Sequence, residues 1–258
     1  MAQEWAADLT CVEQPTAIIF HISRCGSTLL AQMLDTQPDN IVLAEVPYFD
    51  DLLRLPYKKL GVSTTYVDEL LKAGIRFYGQ KRLGIEQNLY IKTDSWHICF
   101  YEQLRALYPG TPFVLLYRSP NEVWNSHTRQ RGMHAVPGII EPEVFGFHER
   151  TTSPANADSY LADVLSVYLR KYIQIAAHDA NTLLLNYNEG IMPMMNKIAD
   201  FTGVPLGEEQ YAKMEARAGY HSKYPGRVFA EEQFRAIPQF LGEAHRLYLQ
   251  LEEIRTKG

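Results

Sequence analysis

Five short runs in this 258-residue chain are built mostly from Ile, Leu, Val and Phe with little alternation: Ala17–His21, Ile41–Ala44, Leu89–Lys92, Phe113–Tyr117 and Thr182–Asn186. A strand with one wet face alternates apolar and polar residues, whereas a strand covered on both faces does not. Between the runs, Ser27–Leu34, Ser95–Leu107, Asn121–Gln130 and Asp158–His178 have helical spacing. The last sets Leu161, Val164, Leu165, Tyr168, Tyr172 and Ile175 on one stripe. Strands that alternate with helices predict an α/β fold of three layers, a central and mostly parallel sheet flanked by helices. Met192–Thr202 reads as a helix closed by Gly203 and Pro205, and Pro238–Arg255 as a last helix across the sheet. With no internal repeat, residues 1–258 read as a single domain. Gly132–Ala157 and Tyr220–Glu231 break the rhythm. The first is long for a structureless loop, and such a stretch is either a functional element, here a substrate lid, or disordered.

Composition narrows the function classes. The chain is 46% hydrophobic and 21% charged, which excludes disordered and fibrous proteins. A net charge of −5 argues against a nucleic-acid partner, although a compact anion responds to local donors rather than to total charge. Cys11, Cys25 and Cys99 have neither disulfide-framework nor zinc spacing, and the eight histidines form no His-x-x-x-His pair, so no metal is expected. The acidic start lacks a signal-peptide pattern, and no window reaches the roughly 18 apolar residues of a membrane span. A reduced, cytoplasmic protein, with a homodimer left open, is the expectation.

The strongest local signal follows the first run: Ile22-Ser23-Arg24-Cys25-Gly26-Ser27-Thr28. A buried strand, a tight turn at Gly26 and a helix opening on two hydroxyls bring unpaired N–H groups and a positive dipole end together. Arg24 adds a cation that reaches two oxygens at once. The plainer alternative is an ordinary strand-to-helix turn. The loop lacks the lysine and second glycine of a Walker A motif, and no strand ends in the paired acids that would hold magnesium for ATP. After Phe113–Tyr117 comes Arg118-Ser119-Pro120-Asn121-Glu122, whose Ser119 and Glu122 predict a capping box, with Ser126 about two turns on. Arg118 thus falls at a strand's carboxyl end, where open α/β sheets bind ligands.

In this order the elements resemble the sulfotransferase family, whose members use 3′-phosphoadenosine 5′-phosphosulfate as donor. His21–Leu30 is similar to the family's phosphosulfate loop, and Arg118 with Ser126 to its 3′-phosphate site. Thr182–Glu189 with Phe201-x-Gly203-x-Pro205 is similar to its Tyr-Glu turn and helix end, although Asn188 intervenes between Tyr187 and Glu189. The resemblance covers roughly residues 16–230 and implies a P-loop nucleotide-binding type of fold. It implies donor binding by Ser23, Arg24, Cys25, Gly26, Ser27, Thr28, Arg118, Ser126 and Tyr187, and by Lys223 and Arg227 of a basic loop over the 3′-phosphate. Cys25 itself reads as a small packing residue. Arg24 stands where many members carry lysine, a fork in place of a point charge.

Sulfuryl transfer to a small-molecule hydroxyl or amine needs stabilised negative charge and a base for the acceptor proton. Arg24 and Lys92 are the cationic candidates. Glu45 and Asp94 compete as base, Glu45 because it resembles the glutamate base of several members and a neighbouring anionic donor would raise its pKa, Asp94 because it stands where some members carry histidine. Asp94 also reads as a helix N-cap. Tyr48, Phe49, Trp96, Phe145 and Phe147 are candidates for an acceptor pocket, or simply core. A small-molecule kinase of related fold and a non-catalytic nucleotide-binding protein are the alternatives.

Overall fold

A computed structural model of the protein describes residues 2–58, 61–148, 156–218 and 236–257. In chain order the elements are α1 (Ala2–Ala7), β1 (Pro15–His21), α2 (Ser27–Leu34), β2 (Asn40–Ala44), α3 (Pro47–Arg54) and α4 (Thr64–Tyr78). Then come β3 (Asn88–Lys92), α5 (Tyr101–Leu107), β4 (Phe113–Tyr117), α6 (Pro120–Arg129), α7 (Ala157–His178), β5 (Thr182–Asn186), α8 (Ile191–Thr202), α9 (Glu208–Ala218) and α10 (Gly242–Lys257). All five expected strands are present, each within two residues of its expected bounds.

The sheet is parallel throughout, in the order β2-β3-β1-β4-β5. From β1 the chain passes over β3 to reach β2, whereas from β4 it moves the opposite way to β5. The order therefore reverses between β1 and β4, and such a reversal opens a crevice at the strands' carboxyl ends. Right-handed crossovers put α2 on one face and α7 on the other. Accordingly α2 packs with α8 and α9, and α7 with α6 and α10. Ile18, Ile19 and Phe20 of β1 are buried on both faces, each contributing roughly 1.5–3 kcal/mol by leaving water.

Several local expectations differ. Ser95–Leu107 is a 3-10 turn (Ser95–Phe100) followed by α5, not one α-helix. Ser95, Trp96, His97, Ile98 and Phe100 are all buried, which one face of an α-helix cannot accommodate. Glu122 does not complete a capping box with the Ser119 side chain, because the Arg118 guanidinium takes its carboxylate at 2.7 Å. Two helices, α3 and α4, fill the stretch between β2 and β3; α4 carries the stripe Val67, Leu71, Ile75. In the expected lid, residues 132–148 carry 3-10 turns and bury His134, Ala135, Ile140, Val144 and Phe145. Arg54 pins this stretch to α3: its guanidinium forks onto Glu141 at 2.7 and 3.0 Å and donates to the Ile139 carbonyl and to Asp50. Tyr220–Glu231 lies outside the described residues. Among the described residues, no helix is long and apolar enough to cross a membrane.

Candidate active site

β1 ends at His21, and the chain turns sharply: Ser23 has φ 70°, Arg24 φ 50° and Gly26 φ 80°. Left-handed backbone at a non-glycine residue costs about 1–3 kcal/mol and persists only where surroundings hold it. Here the Ser23 N–H donates to His21 Nδ1 at 3.1 Å. Gly26 is needed twice over, for its φ and because a Cβ would lie 2.2 Å from the Tyr187 ring. Gly26 is also the N-cap of α2 and supplies no side-chain cap, so the first N–H groups of α2 face the crevice mouth. Arg24 reaches across to the Gln130 carbonyl at 2.6 Å, at the end of α6.

On the β4 side, Arg118 pairs with Glu122, and its guanidinium carbon stands 4.7 Å above the centre of the Tyr187 ring. Tyr187, just past β5, thus packs on both Gly26 and Arg118. It closes the crevice from the β5 side.

The ends of β2 and β3 carry carboxylates. Glu45, at φ 51°, bonds to Lys92 and lies 3.4 Å from His21 Nε2. The His21 hydrogen bond and the Lys92 charge hold Glu45 well below the usual carboxylate range. Lys92 is buried, its side chain 2% exposed, with Glu45 as its ion-pair partner. Burial and Lys92 pull His21 down to about 4, so its ring is neutral near pH 7. Asp94 behaves oppositely: burial pushes its carboxyl up to about 6. It stands at the N-cap of the 3-10 turn, its N–H donating to His97 Nδ1 at 3.3 Å.

These pieces line one cavity of about 310 Å³. Ser23, Arg24, Gly26, Ser27, Thr28, Arg118, Ser126 and Tyr187 surround one part, and Glu45, Asp94, Ser95 and Trp96 another, with Met133 and His134 from the following segment. Cys25 does not line it: the side chain is buried, its Sγ 3.6 Å from the Leu116 carbonyl, and burial pushes the thiol up to about 12. Lys92 is turned to Glu45 instead of the cavity. Of the aromatic candidates only Trp96 lines it. Phe49 is core, Phe145 and Phe147 pack on each other and on Tyr160, and Tyr48 covers Gly74. Lys223 and Arg227 lie outside the described residues. Asp50, Asp94 and His97 approach metal-ligand spacing, but Asp50 already accepts from Trp96 at 2.5 Å, His97 at 3.1 Å and Arg54 at 2.9 Å, leaving a donor-saturated carboxylate.

His21, His127, His134 and Ser95 stand in no sequence motif that marks them individually. His21 was within reach as the polar end of an apolar strand. His134 sits in an aperiodic stretch and left no signal.

No family model matches the chain, and no curated protein matches it. Solved structures do. The sulfotransferase STF9 from Mycobacterium avium is similar with a TM-score of 0.53 and 16% identity, over 98% of this chain and 78% of that one. The sulfotransferase STF1 from Mycobacterium tuberculosis H37Rv is similar with a TM-score of 0.52 and 12% identity, over 85% of this chain and 77% of that one. At these identities the likeness is one of architecture: the chain has the fold of the sulfotransferases.

Proposed function

We propose that the protein is a sulfotransferase that moves a sulfuryl group from 3′-phosphoadenosine 5′-phosphosulfate to a small-molecule hydroxyl or amine, without a metal. One observation carries this reading. The reversal between β1 and β4 brings two separate candidate anion sites, the β1 loop and Arg118 with Ser126, to the lining of one cavity. A nucleotide with phosphates on both the 3′ and 5′ carbons suits two such elements, whereas the contiguous chain of ATP does not.

The residues then divide the work. Arg118 and Ser126 take the 3′-phosphate. The β1 loop and the first N–H groups of α2, with Ser27, Thr28 and Arg24, hold the phosphosulfate. As the acceptor attacks sulfur, the bond from sulfur to the bridging oxygen breaks and charge builds on the departing phosphate, where these donors are aimed. Asp94 takes the acceptor proton. A carboxyl near 6 is largely ionised at neutral pH and still basic enough to accept a proton, whereas the strongly acidic Glu45 is a weak base. Glu45 instead neutralises the buried Lys92.

Thermal denaturation with adenosine 3′,5′-bisphosphate tests the reading, with ATP plus magnesium as the control ligand. At about 100 times its dissociation constant a ligand stabilises by roughly 2.7 kcal/mol, a melting shift of about 5–10 °C for a chain this size. A shift with the bisphosphate, abolished in Arg118→Ala, is the expected result. A shift with ATP alone makes the protein kinase-like, and no shift with either overturns the nucleotide site.

A further inference from the structure

Ser23 is held between two buried histidines. His127, fully buried on α6, accepts at Nδ1 from the Gly132 N–H at 3.1 Å. A ring nitrogen that accepts carries no proton, so the proton of the neutral imidazole is on Nε2. That Nε2 lies 3.3 Å from Ser23 Oγ and donates to it. His21 repeats the arrangement: Nδ1 accepts from the Ser23 N–H, and the Nε2–H is shared between the Thr93 carbonyl at 3.0 Å and Glu45 at 3.4 Å. Backbone N–H groups therefore set both tautomers, and the two rings grip the backbone and the side chain of one left-handed serine.

With a lone pair of Ser23 Oγ taken by His127, the hydroxyl proton turns to another acceptor, and Ser23 lines the cavity. We propose that His127 is a positioning residue for the anionic ligand: fixed as the Nε2–H tautomer by the Gly132 N–H, it orients the Ser23 hydroxyl to donate to an oxyanion in the cavity. This rests on the reading of the cavity as an anion site. It also ties the phosphate loop to the 132–148 segment. Gly132 is part of the device, because a Cβ there would stand 3.2 Å from His127 Cε1 and 3.1 Å from His134 Cε1.

Calorimetric binding of adenosine 3′,5′-bisphosphate, and separately of pyrophosphate, tests it in wild type, Ser23→Ala, His127→Phe, the double variant and His127→Gln. Ser23→Ala and His127→Phe should each bind about tenfold more weakly, as for one hydrogen bond to a charged group. The double variant should be no weaker than Ser23→Ala alone, since the histidine acts through the serine. His127→Gln places an amide N–H near the ring Nε2 position and should recover most of the loss, which a packing role would not predict. Long-range proton–nitrogen NMR of the wild type should find the His127 proton on Nε2, a readout that survives if His127→Phe misfolds. A proton on Nδ1, additive losses in the double variant, or wild-type affinity in His127→Phe overturns the proposal. If pyrophosphate follows the pattern and the bisphosphate does not bind, the sulfuryl-donor reading fails and the role of His127 stands. A wild type that binds neither overturns both.

Discussion

The two parts of the cavity are made of the same material, loops at the carboxyl ends of parallel strands, yet their chemistry diverges. At the β1–β4 crevice the lining groups are Arg24, Arg118, hydroxyls and the start of α2, beside histidines whose Nδ1 atoms accept from backbone N–H groups. At the ends of β2 and β3 they are carboxylates, and the cation there, Lys92, is sunk beneath the surface. The contrast shows two ways to tune a site. Anion binding needs only that donors converge, and a tight turn and a helix start achieve that locally. A proton acceptor needs its affinity set, and burial sets it. Glu45 and Asp94 are both site carboxylates, but Glu45 is 47% exposed beside an ammonium and strongly acidic, while Asp94 is largely buried and lifted to about 6.

That division can be broken at four points. Asp94→Asn should cut turnover about 10²- to 10⁴-fold with little change in bisphosphate affinity. In the wild type, log kcat should climb about one unit per pH unit up to pH 6 and then level, because the base must be ionised; the variant should lose this limb. Stability runs the other way, since a carboxyl raised in the fold adds stability at low pH and loses it as pH rises through 6. Arg118→Ala removes a charge-assisted contact, and calorimetry should find bisphosphate binding about 10- to 100-fold weaker. In urea unfolding, Gly26→Ala should cost about 1–3 kcal/mol from the left-handed φ, with more from the Tyr187 clash. Adding Tyr187→Ala should recover only the clash. The smallest effect on turnover belongs to Glu45→Gln, under about tenfold, together with a stability loss of about 1–3 kcal/mol from a buried Lys92 without its carboxylate. A complete loss of turnover in Glu45→Gln would move the base to Glu45 and reverse the comparison.

Much of the frame was legible. The five apolar runs became the five strands, and the turn at Gly26 was readable because a left-handed residue at a strand-to-helix junction is a local demand with a local signature. Arg118 and Ser126 were legible for a related reason, since a strand end and the following helix place them relative to each other. The aromatic pocket was not. Phe145 and Phe147 occupy a stretch without periodicity, and whether such a ring lines a cavity or fills the core depends on which helix covers it, here α7 through Tyr160.

What the sequence determined by itself was the class of fold and the place of the sharp turn between β1 and α2, because periodicity, glycine and capping act over a few neighbouring residues. What only the tertiary structure decided was the state of the titratable groups. Glu45 meets Lys92 forty-seven positions away and His127 meets Ser23 one hundred and four away. A proton's position follows from burial and from partners across space, and neither is written in the spacing of residues along the chain.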